Sequence, residues 1–441
     1  MKKIGFVIVS VVALSLPFAA QAYEDSFHLT GLGLFGGRPR QDGSFDLRNT
    51  TTEKFDPVRG QSVVERPRPD FAPRPIDVGS FQMYPGFDIA SYYDSNIYST
   101  KNNTKDDLVS KFDPTLSLVS NWGRHAVAFT GFADINKYLN HSKENFDGGA
   151  LQAQGRYDLA PQTWLGVSTA YQRDTEPRSS PDQNGSAAGP TQFDLFTGDF
   201  EAYRGVGFIQ AKANYDVAYY DFDKVDLIGG GQASQNFRNR VEQGLRTEFL
   251  YDATENFKPF ARLGGSFRNY TSFSQRTSSG YRVDVGSKSD FGGVVTGEAY
   301  VGFQDRNYYH FTNGNVGVVD FGGKVLWNVT DLTSIQAEAQ RSIEETALAN
   351  SSTYVASGGG ISVTHELRRN VLLEMNGSYT NDNFKLISRS DDVYDIGVGS
   401  RYFITRNLYA DATYDFQDRT SNVSNSAYQR HVALLRLGVQ Y

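Results

Sequence analysis

Charged residues recur at every second position between Arg238 and Glu248, with Gly244 the one interruption. In an extended segment, Arg238, Arg240, Glu242, Arg246 and Glu248 share one face, and Val241, Leu245, Phe249 and Tyr251 share the other, with Gln243 and Thr247 between them. A helix would scatter both sets, because its period is 3.6. Extending the same phase along the chain adds Arg262, Arg268, Arg282, Asp284, Glu298, Asp320, Lys324, Arg401, Asp411, Asp415 and Arg436 to the polar face. The signs are mixed and nearly balanced. Such a wall can pair with itself across strands while holding a hydrated interior, which is the chemistry of binding and passing polar solutes. Arg238, Arg240, Arg246, Arg262 and Arg268 lie on two neighbouring segments and come nearest to a patch for an anionic solute, although Glu242 and Glu248 interrupt it. Tyr203, Tyr300 and Tyr409 are placed to stack on sugar rings.

Catalytic chemistry finds little support. His28, His125, His141, His310, His365 and His431 show no metal-ligand spacing, and no cysteine is present to supply a thiolate or a disulfide. His365-Glu366 reads as a strand end before a turn. Gly358 to Gly360 lie in an alternating segment with no following helix, which argues against a phosphate loop. No catalytic, cofactor-binding or metal-binding residue is expected. A lipase-like barrel would need a Ser–His pair brought together at the rim.

The elements that position these residues are strands. From Phe81 to the end, period-two segments of about ten to fifteen residues follow one another. Their connections alternate in character. Short turns are expected near Gly123, Pro161, Gly205, Glu255, Asp290, Asp331, Asn370 and Asn407. Longer polar stretches are expected at 98–106, 175–191, 223–235, 307–314, 383–391 and 420–428. Short turns at one end and long loops at the other mark a transmembrane antiparallel β-barrel, with the turns in the periplasm. The count is about eighteen strands, with sixteen as the alternative; 271–295 is the ambiguous stretch. Trp122, Trp164 and Trp327 all fall beside expected turns, where amphipathic rings settle at a membrane boundary.

The chain ends on HVALLRLGVQY, in which Leu435, Leu437, Val439 and Tyr441 oppose Arg436, Gly438 and Gln440. Such a terminal strand would zip against the first and leave no edge in lipid. It would also address the chain to the barrel-assembly machinery. A mean hydropathy of −0.46 does not oppose this, since every second strand residue faces lipid. Aromatic content of 14% suits two membrane interfaces, and a net charge of −7 speaks against non-specific nucleic-acid binding.

The start of the chain reads differently. Met1-Lys2-Lys3, the apolar run Ile4 to Leu16 and Ala20-Gln21-Ala22 form a secretory signal peptide over 1–22. Residues 23–80 are rich in proline, glycine and arginine and read as a largely extended, mobile periplasmic leader with at most one local element. Its Arg38, Arg40, Arg66, Arg68 and Arg74 suit a solvated linker, or contact with anionic lipid or a partner. Residues 81–441 are the barrel.

Particular stretches carry a resemblance: GYRVDVGS (280–287), GEAYVGFQDRNY (297–308), RSIEET (341–346), THELRRNVLLEMNGSY (364–379), SRSDDVYDIGVGSRYFITRNLYADATYDF (388–416) and the closing LRLGVQY. Through them the chain from about 84 to 441 resembles the putative β-barrel porin 2 family of Gram-negative bacteria. The resemblance implies an outer-membrane barrel, and some relatives are associated with surface-polysaccharide production. The expected function is passage of a polar solute, in particular exopolysaccharide export, with periplasmic export components as partners. The alternatives are an adhesin or structural barrel with a plugged lumen and binding loops, or a general diffusion porin. No functional residue is carried over from the family.

Overall fold

The computed structural model describes residues 61–309, 314–348 and 350–441. The expected signal peptide, 1–22, and the expected leader up to residue 60 lie outside these residues. Eighteen strands form the wall. They are β1 Phe81–Asp94, β2 Asp107–Ser120, β3 Ala126–Tyr138, β4 Phe146–Ala160, β5 Thr163–Thr175 and β6 Gln192–Val206. Next come β7 Ile209–Phe222, β8 Arg240–Tyr251, β9 Phe257–Tyr270, β10 Ser278–Phe291, β11 Val295–Tyr308 and β12 Asn315–Thr330. The last six are β13 Thr333–Glu345, β14 Thr353–Arg368, β15 Val371–Phe384, β16 Ser390–Phe403, β17 Leu408–Ser421 and β18 Tyr428–Gln440. Every neighbouring pair is antiparallel, and β18 pairs with β1 to close the sheet.

All eight expected turns occur, each joining an even strand to the next odd one. The opposite end carries the longer loops, including 95–106, 176–191 and 223–239. YRVDVGSKSD is wall, lying within β10. Alternation sets which way each residue points. Leu435, Leu437, Val439 and Tyr441 are exposed on the outside of β18. Arg436 turns inward and contacts Asp411 on β17 at 3.3 Å. Gly438 is required by close approach, because a Cβ there would lie 2.1 Å from the Tyr409 ring.

Trp122 and Trp327 are exposed at the short-turn end, as an interface belt requires. Trp164 differs from that expectation. It turns into the lumen, stacks on Tyr203 with centroids 5.4 Å apart and lies under Arg156 at 4.8 Å. Its place in β5, in register with Asp158 and Tyr203, gives it the inward phase.

One seam is incomplete. β12 is paired with β11 from Asn315 down to Trp327, but with β13 only between Gly322–Gln340 and Thr330–Thr333. In the long-loop half, β13 leaves the wall and keeps β14 as its ladder partner up to Glu345–Thr353. Its Ile343 packs with Val355 of β14 against Val316 and Val318 on the inner face of β12. Gln304 on β11 donates to the Arg341 carbonyl at 3.1 Å. Thr353 to Ala356 are all buried, because both faces of β14 are covered here.

The cause lies in the side chains. On β13, Ile335, Ala337 and Ala339 share the phase of outward-facing Trp327, and that phase continues into Arg341, Ile343 and Glu345. In the wall, Arg341 and Glu345 would meet lipid, at roughly 2–4 kcal/mol for a basic residue near the midplane and less near an interface or for an acid. Folding the strand inward takes both charges away from lipid and gives Glu345 the donors of Arg268, Tyr270 and Tyr308.

Residues 61–75 also depart from expectation. The sequence reads as mobile, yet the segment docks in the short-turn mouth. Val63 is fully buried beside Leu372, and its N–H donates to Ser334 Oγ at 2.8 Å. Arg68 pairs with Glu366 at 3.0 Å, and Phe71 stacks on Phe403 at 5.7 Å. Apolar anchors and one buried ion pair offset the ordering cost that a proline-rich composition suggests would win. Ile76–Val78 then pairs with the foot of β1.

Candidate functional site: the lumen and its loops

Fifteen of the sixteen expected lumen residues stand on strands in the inward phase: Arg240, Glu242, Arg246, Glu248, Arg262, Arg268, Arg282, Asp284, Glu298, Asp320, Lys324, Arg401, Asp411, Asp415 and Arg436. Arg238 does not. It lies before β8 on a short 3-10 turn, Asn236–Arg238, in the 223–239 loop. There it stacks over Phe222 at 4.1 Å and pairs with Glu176 of the 176–191 loop at 2.9 Å. Alternation continues through Arg238 in the sequence, but the loop redirects the backbone.

The inward charges form chains of pairs that run around the wall. Glu248 is shared by Arg262 at 2.7 Å and Lys288 at 2.6 Å, and Arg262 reaches Glu298 at 2.6 Å. Arg282 forms ion pairs with Asp284 at 2.7 Å and with Asp320, two strands away. Lys324 sits in register with Glu298 on one side and Glu338 on the other. Arg401 and Arg436 converge on Asp411, at 2.8 and 3.3 Å. Asp415 has the Thr413 hydroxyl 3.5 Å away.

The expected hydrated wall is two tiers. Toward the short turns of β8 to β11 the groups are partly open, as with Lys288, whose side chain is 38% exposed, whereas Arg401 and Asp411 at the same end of the barrel are packed together. Toward the long loops the same chemistry is packed out of water. Arg240 donates to Glu242 at 2.6 Å, and Arg268 joins Glu242 at 2.8 Å to Glu345 at 2.6 Å; all four side chains are at most 7% exposed. Arg240 also covers the Tyr220 ring at 3.9 Å. Charges so placed are tolerable because each is paired and hydrogen-bonded.

The candidate sugar-stacking rings are committed to the wall. Tyr300 lies between Arg262 at 5.5 Å and Arg282 at 5.0 Å. Tyr409 carries Arg401 on its face at 4.6 Å and donates to Asp88 at 2.7 Å. Tyr203 is stacked on Trp164.

Alternation within strands did not reveal the loop that crosses the long-loop mouth. Residues 176–191 reach four other loops or strand ends. Arg178 pairs with Glu144 at 2.6 Å and stacks on Tyr98 at 5.5 Å. Glu176 holds Arg238, and Asp182 accepts from the Thr346 hydroxyl at 2.5 Å. Asp182 is partly buried, and burial pushes its carboxyl above the ordinary range despite the opposing pull of Arg238. The signal for docking was weak: Arg178 and Asp182 are ordinary in a polar loop, and their partners lie far away in sequence.

Glu345, Arg306, Tyr270 and Tyr308 were likewise missed as one cluster. The available signal was RSIEE, where charge appears in both phases of β13. Of the described histidine rings, His125 accepts from the Asp158 N–H, His141 contacts Asp107, His365 contacts Thr333, and His431 contacts Tyr414. Among the described residues no group of three metal-ligating side chains converges.

Solved outer-membrane proteins of Pseudomonas aeruginosa are similar in fold. OccK1 (OpdK) shares 11% identity over 81% of this chain and 99% of its own, with a TM-score of 0.46. OpdO shares 10% over 82% and 98%, and OccK9 (OpdG) shares 12% over 82% and 98%, each with a TM-score of 0.45. No curated protein matches the chain significantly. The family model described as "Putative beta-barrel porin 2" matches residues 68–441. With a closed eighteen-strand wall, an apolar outside and a charged inside, the chain belongs to that porin family of the outer membrane.

Proposed function

We propose that this porin is a conduit for a polar solute, and specifically that it takes part in exopolysaccharide export across the outer membrane. The observation that carries the reading is the self-neutralised inner wall. Arg262, Glu248, Lys288 and Glu298 form a chain of partly open charges in the short-turn tier of a wide barrel. Paired charges give water a polar lining without a strong field of one sign. The association of some relatives with surface polysaccharide supports the glycan. In this reading the short-turn end, with residues 61–75, faces the periplasm and meets export components. The closing strand β18 is the segment offered to the assembly machinery. The test is single-channel conductance of the purified protein in a planar bilayer, with and without residues 61–75. Absence of conductance in both forms sinks the conduit. A deletion strain that still delivers its polysaccharide to the surface sinks the export role.

The docked 176–191 loop favours a second reading, a surface barrel that binds through its loops. Deleting 177–190 separates the two. A conduit gains conductance, whereas a loop-binding barrel loses cell-surface binding and still does not conduct.

A further inference from the structure

We propose that Arg268, Tyr270 and Tyr308 form a carboxylate-binding site in the lumen, that Glu345 fills it as an internal ligand, and that an acidic sugar in transit displaces Glu345. This rests on the conduit reading and names the solute class.

Both oxygens of Glu345 are addressed. Arg268 Nη1 and the Tyr308 hydroxyl donate to Oε1 at 2.6 and 2.7 Å, and the Tyr270 hydroxyl donates to Oε2 at 2.9 Å. One guanidinium and two phenols, converging from β9 and β11, match the two oxygens of a carboxylate. The donors are held from behind. Arg268 Nε is fixed by Glu242, and Glu242 by Arg240. A further cation, Arg306, stands beside the cluster with its guanidinium on the hydroxyls of Ser278 at 3.1 Å and Ser266 at 2.6 Å. The site therefore has its own scaffold and does not depend on β13 for its shape.

Beside it the wall thins. The adjoining cavity is lined by Gly244, Gly264 and Gly280 together with Arg268, Arg282 and Arg306. Ile343 of the infolded strand closes one side of this cavity, so room for a ring attached to the carboxylate opens between the arginines when that strand end withdraws. The neighbouring cations also suit a repeating acidic polymer, which could pass a carboxylate from one to the next.

The occupant is separable from the wall. Glu345 is carried by the part of β13 that has no ladder partner on β12. It remains laddered to Thr353 of β14, so it withdraws by side-chain rotation or together with the β13–β14 ends, and either way the pairs of β12 with β11 are untouched. Arg276 holds the carbonyls of Thr346, Leu348 at 3.1 Å and Ser351 at 3.3 Å, which makes the following loop the pivot.

Glu345→Gln keeps the side-chain volume and removes the competing charge. In the full-length protein it should lower the glucuronate concentration needed for half-maximal current block by about tenfold, with glucose inert. Adding Arg268→Gln should abolish the block. A second reading uses detergent-solubilised protein, where glucuronate should raise the thermal midpoint of Glu345→Gln more than that of the parent. A folded Glu345→Gln, shown by heat-modifiable migration, with unchanged glucuronate sensitivity in both measurements overturns the site. So does inorganic phosphate acting more strongly than glucuronate. If Glu345→Gln does not fold, Glu345→Asp retracts the carboxylate while keeping its charge; the same direction of change supports the site and no change overturns it. A parent protein that never conducts, yet shows the glucuronate shift in Glu345→Gln, sinks the conduit reading and leaves the site standing.

Discussion

The seam between β18 and β1 and the seam between β12 and β13 solve the same problem in different ways. The first carries nine consecutive pairs, from Gly86–Gln440 to Asp94–Val432, with Leu435, Leu437 and Val439 outside and Arg436 inside. The second stops at Gly322–Gln340 and leaves residues 315–321 of β12 without a β13 partner. β18 is apolar in its outward phase throughout its paired length. β13 is apolar there only as far as Ala339, then charged at Arg341 and Glu345. Continuing the second seam would form about five more pairs, each worth on the order of 1 kcal/mol net. It would also turn two charges toward lipid, at up to roughly 2–4 kcal/mol for the basic one. The two terms are close enough for contacts inside the lumen to decide, and Ile343 and Glu345 find good ones. Wall membership is thus settled residue by residue, not strand by strand.

The largest effect should come from breaking the complete seam. Removing Tyr428–Tyr441 exposes the edges of β1 and β17 along their length, and unsatisfied backbone in hydrocarbon is costly. No folded, heat-modifiable barrel should form. Recovery of one would show that closure by β18 is dispensable.

The incomplete seam can be tested by converting it into the other kind. Arg341→Leu with Glu345→Leu gives β13 an apolar outward phase, and the existing register then brings Val319 opposite Ile343. In the present structure these two side chains lie on opposite sides of β12, Val319 exposed and Ile343 under Val318. Because the chain has no cysteine, Val319→Cys with Ile343→Cys reports the geometry without background. A disulfide should form in the double-leucine protein and not in the parent sequence. The reverse result would remove charge as the cause of the infolding.

This contrast also shows what was legible beforehand. Strand phase, all eight turns, the strand number and the inward set from Arg240 to Arg436 follow from period-two alternation, because a lipid face and a polar face leave a strong local signal. Arg238 was misplaced because local alternation runs on past the point where the chain leaves the sheet. The docked residues 61–75 and the 176–191 loop were not legible, since Val63, Phe71 and Asp182 find Leu372, Phe403 and Thr346 through closure of the whole barrel. The infolding was half legible, as RSIEE carries charge in both phases, a pattern no lipid-facing strand keeps.

A smaller effect is expected at the mouth above the two seams. Arg178→Ala leaves Glu144 buried without its bidentate partner, a change worth about 3–5 kcal/mol when a buried pair is broken. Since the pair holds a loop and not the wall, the protein should still fold, with higher single-channel conductance. Unchanged conductance would place the constriction elsewhere, at the infolded β13–β14 end.

The smallest effect concerns pH. Burial raises the Asp182 carboxyl in the docked loop, with Arg238 opposing and Glu176 reinforcing the shift. A carboxyl raised on docking favours the protonated form. Its contribution to docking is therefore full below the ordinary value of 3.8 and is lost as pH rises through the raised value. Acidification should tighten the 176–191 loop and lower conductance, while Asp182→Asn, neutral at every pH, should stay docked and lose this part of the response. Bilayer recordings from neutral pH down to about pH 4 would check it. An Asp182→Asn protein that still closes with acid would move the sensor to another carboxyl, and with it the link between the loop across the mouth and Thr346 at the end of the infolded strand.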